Sequence, residues 1–135
     1  MSLGKRLGLA WVFAWFFFGG IGHFVPVTHA FFVSIVPPYL PAHEAAVYVS
    51  GFFEILGGIG ILLPQWRRAA GIGLFLLTLA VTPANVWMWQ HPDLYPQMPP
   101  WALSLRLFIQ VALLANIWWC TGISRPLPEP AGVRT

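Results

Sequence analysis

The chain has 135 residues, of which 58% are hydrophobic and only 8% are charged. Because ordinary soluble domains carry about 25% charged residues, this chain has too few to cover a soluble globule and is predicted to be a one-domain integral membrane protein. The net charge of +3 does not indicate a nucleic-acid partner, since the seven basic residues stand singly or in pairs beside apolar stretches.

Four apolar runs approach or exceed the ~20 residues that a helix needs to cross a bilayer, and they predict an all-α bundle of four membrane-spanning helices. The runs lie at about residues 7–24, 45–63, 69–90 and 101–122, and together they form the predicted domain of residues 1–122. The stretches at 25–44 and 91–100 are rich in proline and are predicted to be loops. Residues 123–135 have no apolar periodicity and are predicted to be a mobile cytoplasmic tail.

The basic residues outside these runs predict the orientation in the membrane. They precede the first run, separate the second from the third and follow the fourth, at Lys5, Arg6, Arg67, Arg68, Arg125 and Arg134. The loops at 25–44 and 91–100 contain neither Lys nor Arg. By the positive-inside rule both termini are therefore cytoplasmic and the two proline-rich loops face outward, as in a multi-pass protein of the plasma (inner) membrane.

A cleaved signal peptide is the alternative interpretation of the N-terminal segment. Lys5 and Arg6 precede an apolar core, and residues 28–30 (Thr-His-Ala) form a loose small-x-small cleavage site. Cleavage there would leave three spans with an outward N-terminus, and it would remove His23 from the protein.

The first outer loop is predicted to contain a short interfacial helix. Thr28 is a suitable N-cap, and Phe31, Phe32 and Ile35 form an apolar face before Pro37 stops the helix. This aromatic face would either anchor the helix at the membrane surface, which is the preferred interpretation, or fold over the bundle as a lid.

Each apolar run carries one polar or charged side chain that lipid should exclude, and in chain order these are His23, Glu54, Asn85 and Arg106. A charged residue at the centre of a membrane helix costs roughly 2.5–3.5 kcal/mol even on insertion scales, so one such group in every helix predicts a shared polar site. At ~1.5 Å per residue all four lie in the outer half of the bundle, with Glu54 near the midplane. Arg106 is long enough to reach Glu54, which predicts a buried ion pair.

Small residues surround these positions at helical spacing. Those that lie three or four positions from the Glu or the His are Gly19, Gly20, Ser50, Gly51, Gly57 and Gly58. They allow close approach of two helices or leave space for a ligand. Gln110 extends the polar stripe of Arg106 by one turn, and Pro83 should kink the third helix just before Asn85.

Each of these residues also has a purely structural interpretation. A Glu–Arg pair can hold two helices together, an Asn can cap the proline kink, a His near the interface can be a surface residue, and Gln110 can be a packing hydrogen bond. Four polar groups at similar depth nevertheless favour a joint site. A metal site is not expected, because the candidate ligands are spread over four helices and Arg106 would repel a cation.

Short motifs accompany the polar residues along the chain. They are Gly19-Gly20-Ile21-Gly22-His23-Phe24, Ile35-Val36-Pro37-Pro38-Tyr39-Leu40-Pro41, Ser50-Gly51-Phe52-Phe53-Glu54, Arg67-Arg68-Ala69-Ala70, Thr82-Pro83-Ala84-Asn85, and Arg106 with Gln110. The combination, over about residues 5–121, resembles the DoxX-like family of small four-helix membrane proteins. That family is named for a subunit linked to thiosulfate and quinone oxidation, its bacterial members stand beside redox partners, and its animal relatives act as assembly chaperones. The resemblance implies the four-helix fold and a polar site at the His, Glu, Asn and Arg positions.

Three functions are open at this point. The first is a quinone-linked or small-molecule redox site in an outward-facing pocket, whose catalytic candidates are Glu54 and His23 and whose ligand-binding candidates are Arg106, Asn85 and Gln110. The second is a non-catalytic accessory or assembly subunit, in which the polar network only fixes the bundle. The third, a small proton-coupled transporter, is disfavoured because a paired Glu54 would not be free to bind a cation.

The cofactor and the partners follow from the first of these functions. A quinone is the cofactor that it implies, while whether the protein is an enzyme stays open. The single cysteine, Cys120, excludes an internal disulfide or dithiol centre, so redox chemistry would need a bound cofactor or another subunit. The expected partners are the lipid bilayer, a redox partner subunit and a second copy of the chain, and not nucleic acid.

Overall fold

The computed structural model describes residues 1–126, and all regular elements within that range are helical. The helices are α1 (Leu3–Gly22), α2 (Pro26–Ile35), α3 (His43–Leu62), α4 (Arg67–Ala80), α5 (Thr82–Gln90) and α6 (Pro100–Cys120), with a short 3₁₀ turn at Pro92–Leu94. The all-α prediction is confirmed, and the four predicted runs correspond to α1, to α3, to α4 with α5, and to α6.

Three helical segments are long and apolar enough to cross a membrane: His43–Leu62, Arg67–Gln90 and Pro100–Cys120. The first helix reaches that standard only when it is counted together with α2, from which it is bent by 98°. The chain therefore has the character of a membrane protein with three spans, or four if α1 and α2 count as one. The orientation of the spans stays a prediction.

The hydrophobic core lies in the half of the molecule where α1 begins and α6 ends. α1 packs along α3, α3 packs against α4, and α6 contacts both α1 and α4. The buried core residues at this end are Leu9, Val12, Phe16, Ile61, Leu74, Leu113, Ile117 and Cys120. These side chains fill the space between α1, α4 and α6 at this end of the molecule.

Glycines bring α1 and α3 into backbone contact near the C-terminal end of α1. A Cβ atom at Gly20 would lie 2.8 Å from the carbonyl oxygen of Gly51, and a Cβ at Gly51 would lie 2.5 Å from the Cβ of His23. No side chain larger than hydrogen fits in this seam without movement of the helices. The seam holds His23, at the end of α1, directly against the helix that carries Glu54.

The first outer loop contains the predicted short helix, with a different start. Val25 is its N-cap and Pro26 occupies the first turn, while the Thr28 hydroxyl donates backwards to the carbonyls of Gly22 and Val25. The prediction that Thr28 is the N-cap is therefore wrong, because Pro26 already fixes a helical φ two residues earlier. The helix ends at Ile35, before the two prolines, as expected.

The helix α2 lies at the end of the molecule where α1 ends and α6 begins, and it contacts both α3 and α5. Ile35 is buried in a cluster with Met88, Tyr95 and Leu103, and the Tyr95 hydroxyl donates a hydrogen bond of 2.8 Å to the Ser34 carbonyl. Burial raises the pKa of Tyr95, which keeps this donor protonated. Of the two interpretations of the loop, the lid is the one that the packing supports.

An interruption at Val81 separates α4 from α5. Pro83 has no backbone N–H, and the N–H groups of Ala84 and Asn85 both point to the Val81 carbonyl. The Thr82 hydroxyl donates to the Thr78 carbonyl at 3.0 Å. The predicted disturbance at Pro83 is thus present, and α5 runs against α6 as a separate helix.

The packed part of the chain extends beyond the predicted end of the domain at residue 122. Gly122 ends α6 in the left-handed region with φ +79°, and Ile123 then folds back onto the hydrophobic core. The guanidinium of Arg68 donates to the Ile123 carbonyl at 3.5 Å. The predicted tail of residues 123–135 therefore cannot begin at 123, and its residues 127–135 lie outside the described part of the chain.

Candidate functional site

A cavity of about 650 Å³ lies between the helices in the half of the molecule where α1 ends and α6 begins. All five predicted site residues line it: His23, Glu54, Asn85, Arg106 and Gln110. A volume of this size is typical of sites for small molecules. The lining has two polar walls, one on α1 and α3 and the other on α5 and α6.

The first polar wall is a buried His–Glu contact. The Nε2 atom of His23 lies 3.3 Å from Oε2 of Glu54, and the two side chains are 8% and 13% exposed. The other ring nitrogen, Nδ1, lies 2.7 Å from the Val47 carbonyl oxygen and 3.1 Å from the Ser50 hydroxyl. The imidazole is therefore fixed on both sides by α3.

The geometry of His23 determines how many protons the pair holds. A carbonyl oxygen can only accept, so the contact with Val47 requires a proton on Nδ1. The Nε2–Oε2 contact of 3.3 Å then favours one more proton between the two groups, because a bare nitrogen lone pair and a carboxylate would repel each other. That proton belongs either to Glu54, beside a neutral imidazole, or to His23, beside a carboxylate. In both states the pair has no net charge.

The second polar wall is a chain of hydrogen bonds between α6 and α5. The Nη2 atom of Arg106 donates to Oδ1 of Asn85 at 3.2 Å, and Nδ2 of Asn85 donates to Oε1 of Gln110 at 2.5 Å. The Gln110 amide then donates to the Thr82 hydroxyl at 2.5 Å. In this series of hydrogen bonds the side-chain amides of Asn85 and Gln110 bond to their neighbours, whereas the Arg106 guanidinium donates only through Nη2.

The guanidinium of Arg106 lacks a counter-charge within residues 1–126. No carboxylate there lies within ion-pair distance, and the buried Nε atom has no hydrogen-bond partner. The predicted Glu54–Arg106 pair is therefore wrong. The close approach of α1 and α3 at the glycine seam places His23 against Glu54. The interruption at Val81 lets α5 pack against α6, where Asn85 contacts Arg106.

Apart from Ser50 and Thr78, the remaining lining of the cavity is apolar. Phe32, Ile35 and Pro37 close the outer end, so α2 and the loop after it form the roof. Exposed lining residues lie along the sides, including Phe18 of α1, 63% exposed, and Phe53 of α3, 51% exposed, and also at Leu40 in the loop after α2. The predicted opening between the 25–44 loop and the fourth run stays a prediction.

Two members of the site were not predicted from the sequence. Thr82 accepts from Gln110, and its position one residue before Pro83 was the available signal, since hydroxyls often satisfy groups freed by a proline. The Val47 carbonyl holds His23, and nothing in the sequence distinguishes it from other helical carbonyls. Ser50 was singled out only as a small residue, yet it also contacts the imidazole.

Metal-binding geometry is absent from the part of the chain described here: no group of three or more His, Cys, Asp or Glu side chains lies close enough to hold an ion. The polar chemistry of the cavity is therefore that of hydrogen-bond donors, one neutral acid–imidazole pair and one arginine. Such a set suits a molecule with oxygen acceptors in an otherwise apolar body.

No curated protein and no solved structure matches the sequence. One family model, described as "Domain of unknown function (DUF8561)", matches residues 12–121. This range contains all five site residues, most of α1 and the whole of α2, α3, α4 and α5 with α6. The chain therefore belongs to the DUF8561 family.

Proposed function

We propose that the protein binds a small planar molecule with oxygen acceptors, such as a quinone head group, inside the membrane. The observation that carries the proposal is Arg106, whose buried Nε finds no hydrogen-bond acceptor among residues 1–126 and lies beside a cavity of about 650 Å³. An unsatisfied buried donor on a charged group is costly, so an acceptor from a ligand would stabilise the site. The neutral His23–Glu54 pair leaves that positive charge uncompensated.

In this proposal the two polar walls of the cavity have different roles, one in ligand binding and the other in proton exchange. Arg106 donates hydrogen bonds to one oxygen of the ligand, and Asn85 with Gln110 holds the guanidinium in place. The His23–Glu54 pair holds one proton that it can give to, or take from, the opposite side of the ligand. A quinone, when bound, supplies two carbonyl oxygens and redox chemistry. The resemblance to the DoxX-like family favours the same class of ligand, and a redox partner subunit would then exchange electrons with it.

An accessory or assembly subunit is the second candidate. The observation in its favour is that Asn85, Gln110 and Thr82 satisfy one another and join α5 to α6 without any ligand. This network alone would fix the bundle. It does not account for the unpartnered Arg106 Nε, and for that reason we place it second.

Replacement of Arg106 by glutamine tests the binding proposal. Menadione, a quinone head group without a long tail, should bind the purified protein, and Arg106→Gln should weaken binding about tenfold or more, as expected for the loss of a charged hydrogen bond. Isothermal titration measures this. The matched control is Asn116→Ala, which removes another polar side chain of α6 that bonds to the Gly8 carbonyl outside the cavity. Equal menadione affinity in wild type and Arg106→Gln would reject the proposal and favour the accessory subunit.

We also propose four spans in a bundle with both termini cytoplasmic, which the distribution of basic residues supports. In a Cys120→Ala background, single cysteines at Ala30 and Leu94 should react with an impermeant thiol reagent from outside intact cells. A cysteine at Gln65, between α3 and α4, should react only after permeabilisation. All three native residues are exposed, so accessibility depends on the side of the membrane. Labelling of position 65 from outside would reverse the orientation.

A further inference from the structure

A second cavity, of about 720 Å³, lies between α3 and α4. We call it the tail groove. It extends from Phe53 and Ala80 at one end to Leu63 and Trp66 at the other, and no charged side chain lines it. Its residues are glycines, alanines, leucines, one isoleucine and two aromatic side chains, so its only chemistry is apolar contact.

The tail groove is continuous with the polar cavity. Phe53, Leu77 and Ala80 line both spaces, so the flank of the polar cavity between α3 and α4 leads into the groove. From Phe53 to Leu63 the groove follows ten residues of α3, or ~15 Å. This is about half of the ~30 Å hydrocarbon thickness of a bilayer.

Gly73 leaves open space beside the groove, whereas Gly57 and Gly60 let α3 approach α4 closely. A Cβ atom at Gly73 would meet no atom within 4 Å, but a Cβ at Gly57 would lie 2.5 Å from the Leu74 side chain and a Cβ at Gly60 would lie 2.8 Å from the Cβ of Ala70. The space beside Gly73 is therefore available to something outside the chain.

We infer that the tail groove holds the long apolar tail of the same molecule whose head group lies in the polar cavity. The ligand class is then an amphipathic membrane lipid with a compact, oxygen-bearing head and one long hydrocarbon or prenyl tail. This inference rests on the proposed function, since the head group is assigned to the cavity beside Arg106. The groove gives the tail a direction, away from α2 and towards the loop between α3 and α4.

A photoactivatable probe tests the inference. The probe is a menadione head group with a long alkyl tail that carries a diazirine at its end, and the labelled peptides are identified by mass spectrometry after irradiation in nanodiscs. In the wild type we expect the label to concentrate on residues near Leu63, Trp66 and Ala70. A label spread evenly over the outer surfaces of all helices, as for bulk lipid, would overturn the inference.

The variant Gly73→Phe places a ring in the groove at a position where the new Cβ atom meets no other atom within 4 Å. It should lower labelling of the groove about tenfold, since the tail and the ring would compete for one volume. Binding of tail-less menadione should not change. The control Ile72→Phe adds a ring at the adjacent exposed position of α4, outside the groove, and should leave both measurements unchanged.

The two proposals fail in different ways in this experiment. If menadione binds with the expected dependence on Arg106 but Gly73→Phe does not alter tail labelling, the head-group site stands and the tail groove is rejected. If menadione does not bind the wild type at all, the proposed function fails first, and the inference falls with it.

Discussion

Gly51→Ala should lower the free energy of unfolding by about 2–3 kcal/mol, near the upper end of what overpacking costs. The added methyl group would lie 2.5 Å from the Cβ and 2.9 Å from the Cγ of His23, and 3.1 Å from the Gly20 carbonyl oxygen. None of these atoms can rotate away, because two belong to the buried His23 side chain that α3 fixes and the third is backbone. The helices α1 and α3 must therefore separate.

The control for this variant is Gly73→Ala, the same chemical change at a helical glycine with no neighbour within 4 Å. It should be neutral or stabilise the protein by up to about 1 kcal/mol, because alanine loses less backbone entropy in a helix than glycine. The Tm of both variants in one detergent measures the difference. Equal Tm values would mean that α1 and α3 are not in close contact.

The pairing of His23 with Glu54 predicts strong coupling between these residues. Glu54→Leu alone, or His23→Leu alone, should destabilise the protein by about 3 kcal/mol, since each leaves one buried polar partner unsatisfied. The double Leu variant should be more stable than either single variant, because apolar side chains of similar volume can replace a buried pair at little cost. Additive losses in a double-mutant cycle would show that the two residues do not interact.

A glutamine at position 54 separates the structural role from the chemical one. Its amide can still donate to Nε2 of a neutral His23. The free energy of unfolding of Glu54→Gln should therefore lie within about 1 kcal/mol of the wild-type value. The amide cannot release that proton. A Glu54→Gln variant as unstable as Glu54→Leu would mean that the carboxylate charge, and not the shared proton, holds the pair.

The sequence predicts which residues line the cavity better than it predicts which of them contact each other. Burial arguments identify His23, Glu54, Asn85, Arg106 and Gln110, and all five line one cavity. Distance along a helix fixes the depth of a side chain, which is why these residues lie at the same level. Depth says nothing about which helices are neighbours or how each is rotated, so the partner of Glu54 could not be derived from it.

The errors at the helix ends have a similar origin. Thr28 has the right side chain for an N-cap, but the 98° bend between α1 and α2 places its hydroxyl under carbonyls of the preceding turn. Ile123 lies in a segment with no periodicity of its own, yet a single left-handed glycine turns it back onto the core. Both outcomes depend on backbone direction, which residue type alone does not give.

The position of α2 over the cavity determines the order in which the protein can assemble during synthesis. Ser34 and its partner Tyr95 are 61 residues apart in the chain, and the buried neighbours of Ile35 also lie beyond α4. At about 5–20 residues per second, the ribosome supplies Tyr95 roughly 3–12 s after Ser34. During that interval α2 has no cluster to pack into. The contacts that hold α2 over the cavity therefore cannot form until α3, α4 and α5 have been made, and they are complete only when Leu103 of α6 follows.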